Sequence, residues 1–424
     1  MSTNERQLEG AVERLWQEIE SREEELIEIV ADLVRRPSLL GQEANVQAFV
    51  ADHLNASGLE VDVWDLPDST YSETNAGDSG VPFPGRPNVT GRMKGAGGGK
   101  SLILNGHVDV VSPEPLADWN YDPWVPTIVG DRMYGRGAFD MKSGDAINLF
   151  LPRVLRDLGM ELRGDLTIHS VIEEECTGNG ALAASLVDRA DAAVVTEPTG
   201  GGFTFAHVGV LWFRIRVSGM SWHAMQAWRG VNAITKSIPI MQALQRLDVQ
   251  LNETIHPAFA GIEHPINLNI GVIHGGDWPS TVPGDCELHC RVSCYPGVTV
   301  AETRAAVEAA IEEAIATDPW FAEHPVDVSW DGFQSAGSVV SLQEPSVTIL
   351  GSWHERVFGS TMVPRAGTGI NDMRYYNFVS VPAGCYGPAG ANAHAADEWL
   401  DLTSMAPTAK VLGAFALNWC GVNP

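Results

Sequence analysis

The chain has 424 residues, of which 44% are hydrophobic and 19% charged, and it carries a net charge of −27. That length exceeds what one hydrophobic core usually serves, so two domains are expected, and the composition is that of a globular protein rather than a disordered one. The excess of acid leaves no face to neutralise phosphate, which excludes nucleic acid and anionic lipid as partners; it serves solubility, and part of it is free to hold metal.

The start, Met1 to Gln7, is polar and lacks a secretion signal, and nowhere do about 18 apolar residues run together, so a cytoplasmic protein without membrane contact is expected. Glu5 to Arg36 repeats apolar residues at helical spacing until Pro37 stops it. A second helix is predicted over Glu43 to Ala56, ending near Gly58, followed by a strand over Leu59 to Trp64 and an acidic loop over 66–86. Four apolar runs read as buried strands of a largely parallel sheet: Ser101–Leu104, Leu166–Ile172, Ala192–Val195 and Val379–Cys385. Helical patterns at Met141–Leu158 and Ala181–Arg189 alternate with them, which predicts a doubly wound α/β domain.

After His207 the pattern changes. Strand, helix, strand, strand, helix and strand are predicted at Val208–Val217, Gly230–Leu247, Ile266–Ile273, Cys286–Cys294, Val300–Ala316 and Val326–Trp330, the order of a ferredoxin-like module. This divides the chain into a catalytic domain, 1–207 with 334–424, and an inserted lid and dimerisation domain, 208–333. The six cysteines are too few for a disulfide scaffold. Cys286, Cys290 and Cys294 fall on one face of a predicted strand, where they read as small apolar side chains.

Ligands of open α/β sheets bind beyond the carboxyl ends of the strands. His107 and Asp109 follow the first of the four strands, Glu173-Glu174-Glu175 the second, Glu197 the third, and a glycine-rich loop ending in His394 the fourth. Asp140 precedes a helix. Imidazole and carboxylate suit zinc, manganese or cobalt, and this supply is about what two adjacent ions need, with one carboxylate bridging to offset their repulsion. Three successive glutamates also repel one another unless cations are near.

The stretches GHVDVV, MYGRGAFDMKSG, IEEECTGNGA, VVTEP and YGPAGANAHAADE resemble, in order, the di-zinc hydrolase family of acetylornithine deacetylase, succinyl-diaminopimelate desuccinylase, aminoacylase and carboxypeptidase G. The resemblance covers nearly the whole chain. It implies that His107 and Glu197 hold one ion, Glu175 and His394 the other, and that Asp140 bridges them. It further implies that Asp109 accepts the His107 imidazole N–H, and that Glu174 is the general base; a register with Glu173 and Glu174 as the acid pair is the alternative. His223 would stabilise the oxyanion across a homodimer, and Arg291, with Arg374 as second candidate, would face a substrate carboxylate.

The implied reaction is amide hydrolysis of an N-acyl amino acid or related small amide by metal-activated water; a dipeptidase or carboxypeptidase with the same chemistry is the alternative, and a non-catalytic metal-binding protein the third reading. Ser280, Thr281 and Ile370 depart from the family's substrate contacts. Trp222, Trp228 and Trp278 flank the predicted lid contacts, where they either receive a bulky or aromatic group or pack the lid core or dimer surface. Cys176, beside the predicted metal glutamate, reads as packing rather than as a nucleophile.

Overall fold

In the computed structural model, residues 3–423 are described, side chains from residue 5. Met1 and Ser2, part of the polar start, lie outside that range. The amphipathic start forms two helices, α1 (Thr3–Ser21) and α2 (Glu23–Val34), instead of one, because Arg22 leaves helical geometry at φ −117° and ψ 21°. Then come α3 (Ala44–Ala56), β1 (Glu60–Asp65), β2 (Pro87–Met93) and β3 (Leu102–His107). A small hairpin, β4 (Thr127–Val129) and β5 (Arg132–Tyr134), leads to α4 (Lys142–Asp157), β6 (Leu166–Val171), α5 (Asn179–Val187), β7 (Ala192–Val195) and β8 (Phe203–His207).

The next segment holds β9 (Gly209–Ser218), α6 (Ala233–Leu251), β10 (Leu268–Gly275), β11 (Asp285–Cys294), α7 (Val300–Ile315), α8 (Trp320–Glu323) and β12 (Asp327–Ser335). The chain closes with β13 (Ser338–Val339), α9 (Pro345–Phe358), β14 (Pro364–Gly367), α10 (Met373–Phe378), β15 (Ala383–Cys385), β16 (Gly390–Ala391), β17 (Trp399–Asp401) and α11 (Met405–Cys420).

The large sheet runs β1-β2-β6-β3-β7-β15-β8-β13, with β14 beside β8. Its centre, β6-β3-β7-β15, consists of the four predicted strands, all parallel; β1, β2 and β13 add antiparallel flanks. The last of the four is shorter than predicted, because the chain after α10 turns back on itself, with Ser380 at a left-handed φ of 63° and Val381 N bonded to Tyr376 O at 2.9 Å, before the strand starts at Ala383. Alternate residues serve opposite faces. Leu102, Leu104, Ala192 and Val194 enter the main core under the helices α1–α4, α9 and α11. Ile103, Ala193 and Val195 pack with Met373 and Tyr376 of α10 on the other face. The fold is α/β, with helices covering both faces of the sheet.

The second sheet runs β10-β11-β9-β12, all neighbours antiparallel, the strand order of a ferredoxin-like module. Its core is separate: Leu211, Phe213, Ile215 and Val217 pack with Cys286, Leu288, Cys290, Val292 and Cys294 under α6 and α7. The three cysteines are buried, free and surrounded by apolar side chains, as the alternation predicts. Among the described residues no helix is long and apolar enough to cross a membrane.

Candidate metal centre

Parallel strands put their carboxyl ends on one edge, and the four central strands deliver their following residues there. His107 ends β3. Its Nδ1 lies 2.9 Å from the backbone carbonyl of Asp109. A carbonyl only accepts, so Nδ1 carries the proton and the Nε2 lone pair points the other way. There it meets three carboxylates, Asp140 Oδ1 at 3.5 Å, Glu197 Oε1 at 3.7 Å and Glu174 Oε2 at 3.8 Å. This Nε2 is buried and has no hydrogen-bond partner, and neither has Oε1 of Glu174. A lone pair facing carboxylates repels them unless a cation or a proton lies between.

The second half of the site is built around His394. Its Nε2 lies 3.0 Å from Glu175 Oε2 and 3.5 Å from Asp140 Oδ2. Asp140 therefore shows one oxygen to each histidine. Ligand atoms of His107, Glu174 and Glu197 lie within 4.8 Å of one another, as do those of His107, Asp140 and Glu175. Tetrahedral zinc with bonds of about 2.0–2.2 Å separates its ligands by roughly 3.3–3.6 Å. The unpartnered lone pair, the donor types and the spacing fit two divalent cations.

The electrostatics point the same way. Burial pushes the carboxyls of Glu174 and Glu197 well above their ordinary range, and raises Asp372, next to them, to about 6. Burial opposes a charged His107, but the nearby carboxylates of Asp140, Glu197 and Glu174 outweigh that and raise it. Asp140 and Glu175 raise His394 to about 10. The cluster is short of positive charge, which bound cations supply.

The centre opens into a cleft of about 300 Å³ lined by Phe139, Asp140, Glu174, Glu175, Glu197 and His394, with Thr199, Thr204, Gly369 and Cys385 among its other walls. The structure thus brings together His107, Asp140, Glu174, Glu175, Glu197 and His394. Glu173 is turned away. Its carboxylate is held by Arg86 Nη1 at 2.6 Å, Ser79 Oγ at 2.9 Å and Thr177 Oγ1 at 2.7 Å, at a left-handed φ of 66°. The cation that relieves this end of the acid run is thus a guanidinium.

Two expectations change, and one of the alternatives for the lid tryptophans falls. The Asp109 carboxylate does not take the His107 N–H, since Oδ1 is 3.7 Å from Nδ1. It accepts instead from the backbone N–H of Glu174 (3.1 Å) and Glu175 (3.0 Å), and its own backbone carbonyl fixes the imidazole. Arg374 does not face a substrate carboxylate. It is fully buried, and donates to Ser335 Oγ, Asn371 O, Thr177 O and Tyr375 Oη, which ties α10 to the turn after Glu175. Trp222, Trp228 and Trp278 do not pack the lid core; they are 38%, 77% and 66% exposed.

Neither His223 nor Arg291 is among the residues that line the cleft. His223 is exposed and caps the short helix Ala224–Arg229, its Nδ1 accepting from Met225 N at 3.0 Å. Arg291, on β11, donates to Ser293 Oγ and to Thr368 O; among the described residues no carboxylate lies within 4.0 Å of it. No residue of the second sheet lines the cleft. Two buried carboxylates beside the ligands were not predicted. Asp372 Oδ1 makes no hydrogen bond and lies 3.9 Å from Arg374 Nη1, and Glu398 accepts four hydrogen bonds.

A doubly wound sheet with an acid-and-histidine cluster at its carboxyl edge, and a ferredoxin-like insert, defines the chain as a metal-centred α/β hydrolase. Residues 103–418 match the profile of Peptidase family M20/M25/M40, and the chain belongs to that family. It is 28% identical to N-formyl-4-amino-5-aminomethyl-2-methylpyrimidine deformylase of Bacillus subtilis (strain 168), over 96% of this chain and 97% of that protein. It is 30% identical to acetylornithine deacetylase of Erwinia tasmaniensis, over 80% of this chain and 86% of that one. Among solved structures, human carnosine dipeptidase 1 shares the fold with a TM-score of 0.74 at 17% identity, covering 96% of this chain and 99% of its own.

Proposed function

We propose that the chain hydrolyses the amide bond of an N-acyl amino acid or related small amide at a binuclear centre. One observation carries this reading: the two oxygens of Asp140 face two different histidines, His107 and His394. In it His107 and Glu197 hold one ion, Glu175 and His394 the other, and Asp140 both. The donors suit zinc, with manganese or cobalt as alternatives.

When bound, the two cations supply Lewis acidity, lowering the pKa of a water and polarising the amide carbonyl. Glu174, with Oε1 free of other partners, removes the proton of that water and returns it to the leaving nitrogen. The Asp109 carbonyl keeps His107 in the tautomer that offers Nε2, and the Asp109 carboxylate holds the turn that presents Glu174. The oxyanion donor is His223 of a second copy.

The domain division at 208–333 goes with this reading, and the separate core of the second sheet supports it. Homodimerisation through that domain is supported by its edge strand β10, with Val272 39% and Ile273 49% exposed, and by Val249 of α6, 62% exposed. The tryptophans around His223 favour substrates with a bulky or flat amine portion, as does the relative named for a pyrimidine.

A panel of N-formyl aromatic amides, N-acetyl amino acids and dipeptides, given to zinc- or manganese-loaded protein, tests the proposal. Hydrolysis of at least one class is expected, abolished by Glu174→Gln while two ions stay bound. Two ions with no turnover of any amide would leave a metal-binding protein without catalysis.

A further inference from the structure

Glu398 lies four residues after His394, is fully buried, and touches neither histidine. Its Oε2 accepts from Arg136 Nη1 at 2.7 Å and from the backbone N–H of Gly137 at 2.9 Å. Its Oε1 accepts from the backbone N–H of Phe139 at 3.0 Å and of Asp140 at 2.9 Å. Its own carbonyl accepts from Gly135 N at 3.0 Å. The whole turn that delivers Asp140 is thus fastened to one side chain. On the other side, Glu398 closes the loop that delivers His394, in which Asn392, His394 and Asp397 all take left-handed φ values of 64°, 63° and 52°. Such backbone persists only where its surroundings hold it.

We propose that Glu398 is a positioning residue that couples Asp140 to His394, and so sets the affinity of the ion those two share with Glu175. This rests on the ligand reading given under Proposed function. The other ion is supported differently. His107 is fixed by the Asp109 carbonyl, and the Glu197 strand end by the bond from Thr196 N to Asn105 O at 2.9 Å. Loss of Glu398 therefore disturbs two ligands, Asp140 and His394, of one ion and only the shared Asp140 of the other, so the former ion is weakened more. A role in folding alone would weaken both together.

The test is a cobalt(II) titration of chelator-stripped, full-length protein, followed by equilibrium dialysis and visible absorption. The wild-type chain takes two equivalents. In Glu398→Gln an amide NH2 faces backbone N–H donors, and the second equivalent is weakened about 10- to 100-fold while the first stays within about threefold. Glu398→Asp keeps the charge and shortens the reach, and shows the same selective loss if the Gln variant does not fold. Equal weakening of both equivalents, or no change in either, overturns the inference. A wild-type chain that binds fewer than two equivalents overturns instead the ligand reading beneath it.

Discussion

Arg86 meets Glu173 at 2.6 Å, Nη1 to Oε1, with both side chains buried, one residue before the proposed base. The same guanidinium grips Glu43 through Nε and Nη2, so one cation serves two buried carboxylates. Glu173 in turn accepts through its backbone carbonyl from Thr177 N at 3.0 Å, closing the turn that carries Glu174 and Glu175. Arg86→Met leaves two buried acids unpaired. Its unfolding free energy in urea is expected to fall by about 3–5 kcal/mol, the range for breaking a buried pair from one side. A loss below about 1 kcal/mol would mean the network carries no weight.

Asp109 reads the backbone of the acid turn, not the imidazole. Asp109→Asn keeps one acceptor oxygen and turns an NH2 toward the other N–H. Steady-state kinetics should show kcat down by about 10- to 100-fold with His107 still able to bind metal. An unchanged kcat would remove Asp109 from the positioning apparatus.

His207 is buried, its Nδ1 bonded to the Val208 carbonyl at 2.8 Å. Burial, and then the nearby Arg374 cation, lower its pKa from 6.5 to about 3. The unfolded chain takes up a proton below about pH 6.5 that the folded chain refuses until about pH 3. The stability tied to a neutral His207 is therefore complete above pH 6.5 and is lost as pH falls through that window, by up to about 1.4 kcal/mol per pH unit. Denaturant unfolding of wild type against His207→Gln between pH 7.5 and 4.5 measures it. Parallel curves would contradict the assignment.

If His223 acts in the partner's cleft, neither His223→Ala nor Glu174→Ala homodimers turn over, yet the two mixed do. Random mixing gives heterodimers in half the population, each with one intact site, so about one quarter of wild-type activity should return. No recovery in confirmed heterodimers would place the oxyanion donor elsewhere.

The residues gathered at the centre could be read from the sequence because topology does the gathering. His107, Glu174, Glu175, Glu197 and His394 each follow a short apolar run, and parallel strands share their carboxyl edge. The supporting residues gave no such signal. Arg86 stands in the sequence like any charged loop residue, and Glu398 closes a family-like stretch without showing what it holds; only the fold reveals their burial. Arg374 misleads for the same reason, since a sequence does not say which way a guanidinium points. Strand β2 (Pro87–Met93) escaped because Pro87, Gly91 and Arg92 interrupt any apolar run. The break at Arg22 escaped because the apolar spacing continues across it.

The central claim is that Asp140 joins two ions, and anomalous diffraction from crystals of zinc-loaded protein tests it most directly. The account predicts two peaks about 3.5 Å apart, one beside His107 and Glu197, the other beside Glu175 and His394, each within bonding distance of a different Asp140 oxygen. A single peak, or two that Asp140 does not touch in common, would contradict it.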